Sequence, residues 1–133
     1  MMLFKTIVRP SSIPNAGMGC FANEFVPKDA LMWRFNPDFD RKFSQEEFDE
    51  LELPAKEFLM YYAYRCGGVY YFSSDNTHFI NHSERPSMYS DETGLLAYAT
   101  KDIHPGEEIV DNYWSFGETP EDHEFNIGWL KKA

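Results

Sequence analysis

Three short segments hold the residues whose types and spacing could do chemistry. HFINHS (78–83) sets His78 and His82 four residues apart. On a helix that spacing would put both imidazoles on one face, as in the two-histidine zinc site of a hydrolase. The segment lacks HExxH order, has only Glu84 nearby as a third ligand, and lies between β-like stretches. The plainer reading is an Asn/His pair satisfying backbone groups of a turn. AGMGCFA (16–22) places Gly17 and Gly19 around Met18. Such a pair lets a ligand approach the main chain closely, and serves a tight turn equally well. GEEIVDNYWSF (106–116) joins a turn glycine to Glu107, Glu108, Asp111 and Tyr113. Its phenol could direct hydrogen bonds in a site or simply pack half-buried.

These segments need elements to position them. FKTIVRPS reads as a strand closed by Pro10, ALMWRF (30–35) as a second, VYYFSS (69–74), LLAYAT (95–100) and EEIVDNY as others. Helix is expected only in the middle. Ser44 with Glu47 three residues on is a capping-box pattern, and Pro54 suits a first helical turn. The helix is expected to run through AKEFLMYYAYR to a stop at Gly67-Gly68, with Phe58, Leu59 and Tyr62 on one core-facing side. Many short strands with one helical insertion, about 44–66, predict a mostly β domain of irregular topology.

Composition narrows the function. The chain has 133 residues, room for one domain. Its 22 acidic against 12 basic residues, net −10, argue against binding nucleic acid through phosphates. The same balance suits a basic peptide partner, and equally a solvated acidic surface. Cys20 and Cys66 form no CxxC pair, which excludes a cysteine-built zinc site. No apolar run of signal-peptide or membrane-spanning length occurs, so an intracellular, cytoplasmic protein is expected.

Order and spacing go further than any segment alone. Gly17-Met18-Gly19 with Phe21, then Phe79-Ile80-Asn81-His82-Ser83 with Pro86, then Gly106-Glu107-Glu108-Ile109 ending at Tyr113, resembles the SET domain. That is the family of protein-lysine methyltransferases that use S-adenosylmethionine. The resemblance runs from about Ser12 to Phe116 and implies a β-clip-like fold of several short-stranded sheets. It implies a domain over 1–116, with a knot-like crossing near Tyr113, and a tail over 117–133. By the resemblance, Gly17, Met18 and Gly19 would face the methionine portion of the cofactor. Asn81 and His82 would bind its amino group and adenine. Tyr113 would be the catalytic tyrosine, and Tyr89 a second channel tyrosine. Tyr61, Tyr62, Tyr64, Tyr70, Tyr71 and Phe72 are further aromatic candidates for the channel wall.

The resemblance has departures. His78 stands where the family commonly has Arg, Glu84 replaces a Cys, and Pro86-Ser87 replaces Pro-Asn. Two residues before Tyr113, where the family has Phe or Tyr, this chain has Asp111. Asp111 is expected beside the lysine channel, holding an ammonium or a water. The zinc-binding flanks of many relatives are missing, leaving Phe125 and Trp129 of the tail as the candidates to close the channel. The expected activity is lysine methylation on a basic protein or peptide. The alternatives are a catalytically silent SET fold that binds basic peptides, and a metal hydrolase on His78 and His82.

Overall fold

The computed structural model describes residues 1–114. The tail, with Phe125 and Trp129, lies outside the described residues. Ten short strands make two sheets. β1 (Thr6–Pro10), β2 (Met18–Ala22), β3 (Leu31–Arg34), β7 (Asn81–His82), β8 (Met88–Ser90), β9 (Leu96–Ala99) and β10 (Glu108–Asp111) form the larger. Its order is β1-β2-β10-β8-β9-β3, with β7 also on β10. β4 (Arg41–Phe43), β5 (Tyr64–Cys66) and β6 (Val69–Phe72) form the smaller. Alternation on β2, β9 and β10 turns Cys20, Ala22, Ala97, Ala99 and Ile109 into one core with Val26, Met32, Trp33 and Ile103. No helix among the described residues is long and apolar enough to cross a membrane.

The insertion departs from expectation in its last third. Ser44 does form the capping box: its side chain accepts from the Glu47 N–H, and the Glu47 carboxylate accepts from the Ser44 N–H. Helix α1 (Gln45–Asp49) follows, then α2 (Leu53–Tyr62) with Pro54 in its first turn. Here α2 stops. Ala63 is extended, and Tyr64–Cys66 becomes β5 instead of a further helical turn. Gly67 and Gly68 take φ of 58° and 77° and make a two-residue hairpin turn, pairing Cys66 with Val69. Two consecutive left-handed glycines match the right-handed twist of a hairpin, so the pair that could end a helix closes β5 onto β6. Of the presumed core face of α2 only Leu59 is buried; Phe58 is exposed and Tyr62 half-buried. A second small core forms beneath α1, where Phe48 stacks on Tyr70 at 4.2 Å between ring centres.

β10 is where the functional segments meet. It runs antiparallel to β2 and parallel to both β7 and β8. The loop joining β7 to β8 straddles it: Ser83 N–H donates to the Asp111 carbonyl at 2.9 Å, and Ser87 N–H to the Val110 carbonyl at 3.0 Å. Ser87 Oγ accepts from Val110 N–H at 3.0 Å, a use for the residue that replaces the family's Asn. This much of the expected knot-like crossing falls within the described residues.

Candidate functional site

The glycine turn and the Asn-His segment are joined directly. Asn81 is buried on β7, and its Nδ2 donates to the Met18 carbonyl at 3.0 Å and to Glu108 Oε2 at 3.3 Å. Glu108, on β10, also accepts from Ser11 Oγ at 2.7 Å, Ser12 N–H at 2.9 Å and Ser12 Oγ at 2.8 Å. Burial pushes the Glu108 carboxyl up, but the hydrogen bonds from Ser11, Ser12 and Asn81 outweigh it and hold the group below its ordinary value. One carboxylate therefore clasps the loop after β1, the glycine turn and β7.

The two glycines serve different needs. A side chain at Gly19 would start 2.6 Å from Glu108 Oε2, so this glycine makes room for the clasp. Gly17 has φ +76° and open space where its side chain would begin, so it is glycine for its left-handed backbone, and its carbonyl accepts from Ser11 N–H at 2.8 Å. Glu108 was not assigned a role from sequence; its serine partners lie almost a hundred residues away, and no local pattern links them. Replacing Glu108 by Gln should cost about 2 kcal/mol, since the amide cannot accept from all these donors as a carboxylate does. Urea unfolding would measure it. Because the carboxyl is held low, its contribution is present above the unfolded pKa and is lost as pH falls through the folded one. The Gln variant should lose that acid-side slope.

At the end of β10 lies an aromatic cavity. Its walls include Trp33 from β3, Tyr61 and Tyr62 from α2, and Tyr64 from β5. Ile80, Met88, Ser90, Asp111 and Tyr113 also line it. Tyr61 is 60% exposed and so forms part of the rim. Trp33 is fixed by a buried relay: its Nε1 donates to Ser73 Oγ at 3.1 Å, which donates to Asp40 Oδ1 at 2.7 Å.

Tyr113 is held at both ends. Its N–H donates to His82 Nδ1 at 3.1 Å, and its hydroxyl donates to the Ile80 carbonyl. Burial raises the phenol far above its ordinary pKa, and the Asp111 carboxylate adds to this, so it stays protonated. His82 packs its ring against Tyr113 and Trp114. Burial lowers its pKa, with Glu84 opposing, which favours the neutral ring that can accept at Nδ1. Asp111 is 5% exposed, and its carboxyl is pushed up to about 7 by desolvation against bonds from the Asn112 backbone and Ser90.

The structure brings Gly17, Met18, Gly19, Asn81 and His82 to one side of β10, and Asp111 and Tyr113 to the cavity at its end. Tyr89 is not brought there. Its neighbours Met88 and Ser90 line the cavity, and alternation along β8 turns Tyr89 to the other face, 41% exposed and stacked on Tyr98. The channel wall expected from Tyr89 is made instead by Tyr61, Tyr62 and Tyr64. Tyr70 is committed to Phe48, and Tyr71 stacks on Tyr64 behind the wall. The two histidines considered for a metal are placed on different elements, and among the described residues no group of three or more His, Cys, Asp or Glu is arranged to hold a metal. His78 sits on a 3-10 turn (Asn76–Phe79) with Nδ1 3.0 Å from the Ser73 carbonyl, while His82 is on β7 with Nδ1 engaged by Tyr113.

Several solved structures share this fold. A Plasmodium falciparum protein assigned as a histone methyltransferase superposes with a TM-score of 0.57 at 19% identity, over 84% of this chain and 95% of that one. Chaetomium thermophilum Polycomb Repressive Complex 2 in an apo, autoinhibited state gives a TM-score of 0.67 at 19% identity, over 97% of this chain and 16% of that one. The same complex in an autoinhibited conformation bound to S-adenosylmethionine gives 0.64 at 18%, with the same coverage of 97% and 16%. This chain thus spans about a sixth of the Polycomb chains, and at such identities the likeness is one of fold. No curated protein sequence matches it significantly. The SET-domain family model matches residues 17–114, from the exposed glycine turn through the anchored tyrosine, and by that match over most of its length the protein belongs to the SET-domain family.

Proposed function

We propose that the protein is an S-adenosylmethionine-dependent methyltransferase that acts on lysine side chains of a basic protein or peptide. The observation that carries this reading is the pair of bonds through β7. Asn81 ties to the glycine turn on one side, and His82 ties to Tyr113 at the aromatic cavity on the other. On this reading one short strand would link the donor site to the acceptor site. The residues present suit the cofactor. The exposed turn at Gly17 and Met18 would face its amino-acid end, with the Gly17 carbonyl held by Ser11 N–H and the Met18 carbonyl by Asn81 Nδ2. The side-chain oxygen of Asn81 would take its ammonium. The main chain at His82 would take the adenine.

S-adenosylmethionine, when bound, supplies an electrophilic methyl group on a sulfonium. What this chain must add is alignment and a neutral amine. The cavity does the first by confining a lysine stem among Trp33, Tyr62 and Tyr64, whose ring faces also attract its cationic head. Tyr113 serves as a fixed phenol that directs the amine and is no base, since burial keeps it protonated. Outside the cavity, residues 46–57 carry Glu46, Glu47, Asp49, Glu50, Glu52 and Glu57 against Lys56, on α1, the link that follows it and the first half of α2, the helix that ends at the rim residues Tyr61 and Tyr62. That band would steer a Lys/Arg-rich segment toward the rim.

The test is methyl transfer from isotopically labelled cofactor to basic peptides, read by mass spectrometry, with calorimetry of cofactor binding alongside. Mass shifts confined to lysine support the reading. Tight cofactor binding without transfer to any lysine peptide would favour the silent peptide-binding module, a reading that Asp111 at an ordinarily aromatic position suggests.

A further inference from the structure

Two residues that line the aromatic cavity each carry a buried polar atom without a hydrogen-bond partner among the described residues: Asp111 Oδ1 and Thr77 Oγ1. They come from different elements, β10 and the 3-10 turn, and they share one cavity. A buried carboxylate oxygen with no donor is costly, and such groups concentrate where a ligand completes them. The surroundings define that ligand. Among the described residues no Lys or Arg lines the cavity. The titratable groups facing Asp111 are Tyr61, Tyr62, Tyr64, Tyr113 and His78 across the cavity, with His82 in register on β7. Ser90 from β8 and the Asn112 backbone already bond to its carboxyl. Among the described residues the cavity therefore offers an acceptor, five Trp and Tyr rings and no Lys or Arg.

We propose that Asp111, assisted by Thr77, is the receptor and proton acceptor for the substrate's amine: Oδ1 pairs with the incoming ε-ammonium and takes one of its protons. This rests on the methyltransferase reading for the identity of the amine. In the step, one N–H bond breaks and one O–H bond forms on Oδ1. The nitrogen keeps the electron pair, and a charged pair becomes a neutral acid beside a neutral amine. The low-dielectric cavity favours that neutral pair, which answers how a lysine of ordinary pKa near 10.4 becomes nucleophilic without a histidine base. The proton returns to solvent before the next turnover. A Phe or Tyr at position 111 could do none of this.

The probe is n-butylamine, the head of a lysine side chain, with n-butanol as its neutral counterpart. Both are titrated into the full chain without cofactor and followed by NMR of the carboxyl carbons. Butylamine should bind the wild type and leave the Asp111 carboxyl carbon with the shift of a protonated acid, also above the pH at which it ionises in the free protein. A bound carboxyl that reads as ionised overturns the proton transfer. Its affinity should rise about tenfold per pH unit on the acid side of that titration and then level off. Asp111→Asn should weaken butylamine at least tenfold and abolish the pH dependence, while leaving butanol within about twofold. Thr77→Val should weaken it about threefold. Equal butylamine affinity in wild type and Asp111→Asn overturns the proposal. So does pH-independent binding to the wild type, a measurement that needs no variant to fold. Cofactor calorimetry separates the two readings. If amine binding depends on Asp111 but S-adenosylmethionine does not bind, the methyltransferase reading fails and the receptor stands. If the cofactor binds but the amine ignores Asp111, this proposal fails alone.

Discussion

Tyr113→Phe is expected to slow methyl transfer by about 100-fold or more, with S-adenosylmethionine affinity changed by less than about twofold. The size follows from how the phenol is held. His82 Nδ1 grips its backbone and the Ile80 carbonyl grips its hydroxyl, so the group is preorganised before any amine arrives. Phenylalanine keeps the ring against His82 but removes the atom that directs the amine. It also leaves the Ile80 carbonyl in a buried site without its donor, so a loss of about 1–2 kcal/mol in stability should accompany the kinetic effect. Single-turnover kinetics read the first and urea unfolding the second. A stability loss without a rate effect would make Tyr113 a packing residue with a satisfied hydroxyl. That result would remove the main support for an enzymatic reading.

The second large effect concerns stability, and it runs opposite to most mutations. Asp111→Asn should make the protein more stable at about pH 8, by up to ~4 kcal/mol, with the gain shrinking toward zero near pH 4. The carboxyl is pushed up to about 7 in the folded chain, chiefly by desolvation, against about 3.9 when unfolded. Between those values the folded protein holds a proton that the unfolded chain does not. The wild type's stability from this group is therefore highest below the unfolded value, declines as pH rises through the window, and is flat above about 7. An amide has the same shape and no charge to desolvate, though its own buried polar atom offsets part of the gain. Urea unfolding of both proteins at about pH 5 and about pH 8 measures the difference. An equal change at both pH values would show that the carboxyl is compensated in the fold. The expected outcome has a functional meaning, since a group that weakens the fold at neutral pH is retained for some other reason. Its unpartnered oxygen in an aromatic cavity supplies that reason.

Much of the site was legible in the residues alone. Ser44 and Glu47 announce a helix start because a capping box is closed within four residues. Gly17, Asn81, His82 and Tyr113 announce themselves by order along the chain. Each of these signals is local, or is a list of types in sequence.

What needed the folded molecule is whatever depends on partners distant in the chain. Tyr64–Cys66 has helical neighbours on one side and two glycines on the other, and only pairing with β6 decides for strand. Tyr89 stands beside the right segment, but a strand turns alternate residues to opposite faces, so the register of β8 against β9 excludes it from the cavity. Gly19 looks like a cofactor glycine until Glu108 is seen 2.6 Å from where its side chain would be. Glu108 itself gains meaning only from Ser11, Ser12 and Asn81. Sequence by itself determined the family order of motifs, the acidic balance and the Asp at an ordinarily aromatic position. Tertiary structure decided which tyrosines form the wall, what clasps the glycine turn, and that Asp111 is buried with an oxygen unmet. The physical reason is that side-chain types are written in the chain, whereas burial and hydrogen-bond satisfaction belong to pairs of atoms that only folding brings together.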